Sequence, residues 1–112
     1  MAKKIEAIVR LERMNHVKDS LVNAGVGGMT ISQATGWGKE RAIQQLGRVG
    51  KSVEVDLLPK ARFEIIVDDA KVDRVVKAII EAAKTGTVGD GIIIISEISN
   101  CINIRTEEAL EI

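Results

Sequence analysis

The chain has 112 residues, with 16 Lys+Arg balanced by 16 Asp+Glu; 46% of it is hydrophobic, yet Trp37 and Phe63 are its only Phe, Trp or Tyr side chains. That length suits one domain around one core, and a high apolar content without net charge excludes a disordered chain. A nucleic-acid partner is not expected, because the chain has neither the basic excess that displaces counterions nor rings for base stacking. Cys101 is alone, which excludes a disulfide framework and fits a cytoplasmic setting. Glu6 interrupts any signal-peptide core, and no apolar run approaches the ~18 residues of a membrane span.

Ile5 to Val9 reads as a β-branched strand. In the next segment, Glu12 to Ala24, the stripe Met14, Val17, Leu21 and Ala24 predicts a helix that Gly25 stops. Met29 to Ala34 alternates as a second strand. From Gly36 to about Ser52 the pattern dissolves into a long loop, and alternation resumes at Val53 to Leu57. Pro59 implies a sheet edge or bulge. A long strand follows, with Ala61, Phe63, Ile65 and Val67 on one side. Asp68 or Asp69 caps a second helix whose stripe is Val72, Val75, Val76, Ile79, Ile80 and Ala83, and Gly86 ends it. A glycine-rich loop, strand Ile92 to Ser96, a short strand Cys101 to Arg105 and an acidic tail complete the chain.

The order β-α-β-loop-β-α-β is the split βαβ of an α+β, ferredoxin-like sandwich, with both helices on one face of an antiparallel sheet and a long loop between strands 2 and 3. Ile8, Ile66 and the run Ile92 to Ile95 put apolar residues on the other face too, so a second copy of the chain is expected to cover it.

Two segments invite a ligand or partner. Residues 38–52 carry Lys39, Arg41, Arg48 and Lys51 against Glu40, a net +3 in a neutral chain. A loop so long and charged reads as an arm for a partner or an anion, with a solvated hairpin extension as the alternative. Thr85-Gly86-Thr87-Val88-Gly89-Asp90-Gly91 can form either an anion nest of backbone amides or a plain helix cap and turn. It is no Walker A loop, and no nucleophile-elbow or zincin motif occurs, so no catalytic residue and no enzyme is expected. His16 has no metal-ligating partner in reach and reads as a surface or core-edge residue, and Cys101 reads as a buried thiol.

Taken together, Lys3-Lys4-Ile5-Glu6-Ala7-Ile8, Gly28-Met29-Thr30, Gly36-Trp37-Gly38, Asp56-Leu57-Leu58-Pro59-Lys60, Glu64-Ile65-Ile66-Val67, residues 85–91 and Ile104-Arg105-Thr106 resemble, in order and spacing, the PII signal-transduction family. The resemblance spans the chain as a single domain, 1–112, and implies a homotrimer of ferredoxin-like subunits. Residues 38–52 would be the family's T-loop, 85–91 its B-loop and 101–112 its C-terminal segment. It implies ADP or ATP in inter-subunit clefts. Ile8, Thr30, Gly36, Trp37, Gly38, Glu64 and Ile66 would hold adenine and ribose, while Gly89, Asp90, Gly91 and Arg105 of the neighbour would meet the phosphates. A target protein would be engaged through Arg41, Arg48 and Lys51. Arg48 matches a loop-tip arginine that plugs an ammonium channel, which makes a membrane transporter the implied class of partner and implies association with the membrane through it.

The chain also departs from the family pattern. Glu40 stands where the family has the glutamine that completes Mg²⁺ coordination with ATP and 2-oxoglutarate, while Lys60, the other position tied to that ligand, is kept. Glu40 can hold Mg²⁺ but repels dianionic 2-oxoglutarate. Ile92 and Asn103 replace two phosphate-site cations, and Val53 replaces the tyrosine that is uridylylated. The expectation is a regulator that binds AMP or ADP at least as well as ATP and responds weakly or not at all to 2-oxoglutarate. A regulator of a transporter that answers to another small anion is the alternative.

Overall fold

The computed structural model describes residues 1–46 and 51–110, with the backbone alone for 38–46 and 51–56. In chain order it contains β1 (Ala2–Arg10), α1 (Met14–Asn23), β2 (Thr30–Leu46), β3 (Lys51–Asp68), α2 (Val72–Ala83) and β4 (Gly91–Glu97), and a 3-10 turn leads into each helix. The sheet order is β2-β3-β1-β4, with every neighbouring pair antiparallel. This is the expected ferredoxin-like sandwich.

Alternation in the two central strands builds the core. Ile5, Ala7 and Val9 of β1 and Ala61, Phe63, Ile65 and Val67 of β3 are buried on one face, where Val17 and Leu21 of α1 and Val75, Ile79 and Ala83 of α2 cover them. The register sets Phe63 opposite Ala7, so a large side chain faces a small one at the centre, and sets Ile5 opposite Ile65 beside them. Full burial of each such side chain contributes about 1.5–3 kcal/mol. Between the helices, the Ser20 hydroxyl donates to the Ala78 carbonyl at 2.9 Å.

The helix ends follow local chemistry. Gly25, at φ +87°, closes α1: its N–H donates to the Val22 carbonyl at 3.0 Å, and Val26 N–H to the Leu21 carbonyl at 3.1 Å. That pair of bonds is a Schellman cap, and Val26 packs on the core beside it. Asp68 caps the approach to α2, accepting from Ala70 N–H at 3.2 Å. The stop of α2 differs from expectation. The chain is already extended at Lys84, and Gly86, at φ +89°, serves the loop beyond.

Three other expectations are corrected. The segment from Gly36 to Ser52 is mostly strand: β2 runs on to Leu46 and β3 starts at Lys51, paired from Ala42↔Val55 to Leu46↔Lys51. A two-stranded ribbon satisfies its backbone without burying a face, so it leaves no alternation to read. Between Trp37↔Leu57 and Ala42↔Val55 the register shifts, and residues 38–41 stand against Asp56 alone. Second, Cys101 to Arg105 is no strand. A single bridge joins Ile102 to Ala109 around a turn, and Cys101 is half-buried. Third, the open sheet face is mixed and not simply apolar. Lys4 and Arg62 flank Glu64 at 3.7 and 3.4 Å in its middle, while Ile66, Ile92 and Ile94 are 38%, 57% and 44% exposed. The stripe of α2 is also narrower than its periodicity implied, since Ile80 is exposed.

Pro59 fits its strand in an unforeseen way. β3 is central where β1 flanks it, but β1 ends at Arg10↔Lys60. Pro59 is the first residue of β3 beyond β1, paired only with Thr35 of β2, so its missing N–H interrupts no ladder on the other side.

Gly91 is fixed most tightly. It lies at φ +113°, and a Cβ there would overlap the Ile8 carbonyl oxygen and sit 2.9 Å from its carbon. Gly25 also has positive φ, but open space surrounds it. Gly91→Ala should therefore cost more than about 3 kcal/mol and Gly25→Ala about 1–2 kcal/mol. Urea unfolding of the two variants checks the difference, and equal losses would contradict the close approach.

Candidate functional site

The Schellman cap of α1 turns the chain through Val26, Gly27, Gly28 and Met29 into β2, and Thr30 pairs with Glu64. This turn, with Glu64, Ile66 and Val67 of β3, Lys71 and Val75 at α2 and Leu110 from the C-terminal segment, lines a cleft of about 570 Å³. That size suits a small-molecule ligand. Three of the residues singled out from sequence, Thr30, Glu64 and Ile66, thus meet in one place. Open space lies on the side of Gly27 and Gly28 that a side chain would fill. The Glu64 carboxylate is balanced by Lys4 and Arg62, and Arg62 in turn donates to the Ser32 hydroxyl at 3.3 Å. Ile8 lies on the same sheet face, opposite Arg62 and Ile92.

A second cluster forms at the other end of the sheet. Gly36 of β2 packs on the stem of Lys60, where a Cβ would come within 3.0 Å of the lysine Cγ. Lys60 is 9% exposed, and its Nζ donates to the Gly89 carbonyl at 3.1 Å. Beside it in the register, Arg10 donates from Nε to Asp90 Oδ1 at 3.2 Å and from Nη2 to the Val88 carbonyl at 2.8 Å. Asp90 also accepts from the N–H groups of Thr85 and Gly86, each at 2.8 Å, and from the Thr85 hydroxyl.

The two clusters are separate within one chain. Thr30 and Gly36 are six positions apart along β2, about 20 Å at strand spacing. No residue of 85–91 lines the first cleft. Arg105 is exposed on the C-terminal turn and lines neither that cleft nor the apolar one of about 410 Å³ between α2 and β4. Trp37 is 68% exposed at the root of the hairpin, opposite exposed Leu57. The backbone of Gly38, Glu40 and Arg41 lies in the register shift, Lys51 opens β3, and the side chains at these positions, like Arg48 altogether, lie outside the described residues. Among the described residues no group of three His, Cys, Asp or Glu is placed to hold a metal.

Sequence reasoning missed two residues. Arg10 lies outside the strand read from Ile5 to Val9 and has no local signature, and only its pairing with Lys60 reveals the cluster. Asn103 was noted as a lost cation, yet its side chain has work of its own. Its Oδ1 accepts from Arg105 N–H at 2.9 Å and Thr106 N–H at 3.1 Å, which shapes the turn carrying Arg105. A free Asx-type acceptor at the start of a turn was the available signal.

The donors around Asp90, the Thr85 hydroxyl first and then the Thr85 and Gly86 amides with Arg10, hold its carboxyl well below the ordinary value of 3.8. A depressed carboxyl contributes stability above its unfolded pKa that is lost only as pH falls through the folded one. Amide protection at Thr85 and Gly86 should therefore persist through pH 4 and vanish only on stronger acidification. Hydrogen exchange followed by NMR against pH measures this, and loss near the ordinary carboxylate pKa would contradict the assignment.

Comparison with known proteins bears on the whole chain. The family model described as nitrogen regulatory protein P-II matches residues 2–108. A nitrogen regulatory protein P-II of Nostoc punctiforme is 47% identical over 95% of this chain and 94% of its own length. One from Synechocystis is 43% identical over the same shares. Nitrogen regulatory protein P-II 2 of Methanothermobacter thermautotrophicus is 43% identical over 96% of this chain and 92% of its own. With the sheet order, the two helices and this end-to-end match in agreement, the chain belongs to the nitrogen regulatory protein P-II family of signalling proteins, which are regulators rather than enzymes.

Proposed function

We propose that this P-II protein binds an adenine nucleotide at the cleft beside residues 24–30 and regulates a target protein through the hairpin built on β2 and β3. The observation that carries the reading is the meeting of Thr30, Glu64 and Ile66 in a cleft of about 570 Å³. Met29, Ile66 and Val67 supply apolar walls for a flat base, the glycine turn leaves backbone amides and carbonyls within reach, and Glu64 is an acceptor for hydroxyl or amino groups. The loop 85–91 and Arg105 stand away from this cleft in their own chain, so the reading takes the phosphate contacts from a neighbouring copy in a trimer.

The phosphate end is poor in cations. Ile92 is an exposed apolar residue of β4, and Asn103 spends its oxygen on the turn. Arg105 remains as the guanidinium for the phosphates, and the γ-phosphate gains least from so few charges. The nucleotide expected here is ADP or AMP at least as well as ATP. Mg²⁺ at Glu40 is a further part of the reading, and the carboxylate at that position works against 2-oxoglutarate.

The hairpin supplies the output. From Lys51 to Pro59 β3 has no β1 partner, and the segment 38–52, most of which forms the ribbon of β2 and β3, carries a net charge of +3. Such a basic ribbon suits an acidic surface on a protein partner. A membrane transporter is the class of partner that the Arg48 resemblance suggests.

Isothermal titration with AMP, ADP and ATP, each with and without Mg²⁺ and 2-oxoglutarate, tests the nucleotide reading, and ultracentrifugation tests the trimer. The expected outcome is an ADP or AMP affinity equal to or above that of ATP, changed less than about twofold by 2-oxoglutarate, a difference under roughly 0.5 kcal/mol. ATP binding sharpened tenfold or more by 2-oxoglutarate would overturn it.

A further inference from the structure

Asp90 stands, by its motif, with the glycines of an anion-binding loop, but its surroundings give it another part. Its carboxylate accepts from Thr85 N–H, Gly86 N–H, the Thr85 hydroxyl and Arg10 Nε. A carboxylate has about four lone-pair sites, so these four donors fill it. The first two amides of the loop, which a phosphate entering a nest would use, are already taken by the chain's own anion.

The rest of the loop is tied from the sheet below. Arg10 Nη2 holds the Val88 carbonyl and Lys60 Nζ holds the Gly89 carbonyl. Gly91 cannot move away from Ile8 without breaking the pairing of β1 with β4, in which Ile8 stands opposite Ile92 and Val9 opposite Gly91. Arg10 and Lys60 are register partners on β1 and β3, so the sheet itself fixes where the loop is gripped.

We propose that Asp90 is a positioning residue that fills the anion nest of its own loop and, with Arg10, sets the backbone of 85–91 in the shape a nucleotide phosphate meets, without touching the ligand. This rests on the nucleotide reading of the site. A carboxylate aimed at a phosphate would repel it, and more strongly with each added phosphate. A carboxylate turned into its own loop and balanced by a guanidinium avoids that repulsion.

The test compares wild type with Asp90→Asn and Asp90→Ala, using AMP, ADP and ATP as probes and amide exchange in ligand-free protein as the second readout. Asn keeps the size and one acceptor oxygen but offers Arg10 no charge. In Asp90→Ala the Thr85 and Gly86 amides should exchange at least about tenfold faster, and all three nucleotides should weaken by a similar factor of about ten, with Asp90→Asn in between. Thr85→Val, which removes one donor with little change of shape, should show the same pattern at smaller amplitude and covers the case in which the Asp90 variants do not fold.

Affinities that rise in Asp90→Asn, and rise most for ATP, would mean direct contact with phosphate and overturn the proposal. So would weaker binding with unchanged exchange, or faster exchange with unchanged binding. If wild type bound none of the three nucleotides, the nucleotide reading and any role of Asp90 toward it would fall. The exchange rates at Thr85 and Gly86 would then show separately whether Asp90 still holds the loop.

Discussion

The antiparallel pairing of β1 with β3 governs the molecule. Its register sends residues 5, 7 and 9 of one strand and 61, 63, 65 and 67 of the other to the helix-covered face. A slip by one residue would exchange the whole core for Lys4, Glu6, Arg62 and Glu64, which forbids the alternative. The same register decides what the open face presents. Lys4, Glu64 and Arg62 come together in its middle, and at its end Arg10 lies beside Lys60. The residues that hold the 85–91 loop are therefore placed by the pairing that makes the core, and the loop inherits the rigidity of the sheet.

The end of β1 is also where the character of the sheet changes. From Lys60 to Glu64, β3 is a central strand with partners on both sides, and alternate residues from Ala61 to Val67 form its buried face. Before Lys60, β3 pairs only with β2, and four residues of β2 stand against one of β3. Bulges of this kind gather next to functional sites, because the unpaired residues can aim side chains that a regular ladder would fix. Gly36 on the Lys60 stem joins the two regimes: the lysine that grips Gly89 is packed under the root of the hairpin.

Much of this was legible in the residues. The core strands and helices were set by alternation and by stripes at three and four residues, and the Gly25 and Asp68 caps follow from their own chemistry. Of the residues the resemblance grouped around a base, Thr30, Glu64 and Ile66 line one cleft, because the pairing of β2 with β3 sets Thr30 opposite Glu64, while Gly36 and Trp37 lie farther along β2. For residues 38–52 a hairpin stood only as the alternative to a loop, because the residues from Gly36 to Ser52 show no hydrophobic period. The role of Asp90 escaped because a motif names the residue types in a loop and not the direction in which a carboxylate turns. Arg10 escaped because an isolated arginine at a strand end has no local signature.

Sequence by itself therefore determined the core strands and the two helices, their order, the α+β fold and the family, all of which rest on local periodicity, capping and collinear motifs. Tertiary structure decided the rest: which residues share a cleft, that the loop 85–91 lies apart from that cleft in its own chain, and that the cations holding the loop are Arg10 and Lys60. The physical reason is that those outcomes depend on strand register and on hydrogen-bond partners about 30 to 80 residues apart in the chain, as Lys60 with Gly89 and Arg10 with Asp90 are. No local pattern encodes a contact between such distant residues until the sheet has formed.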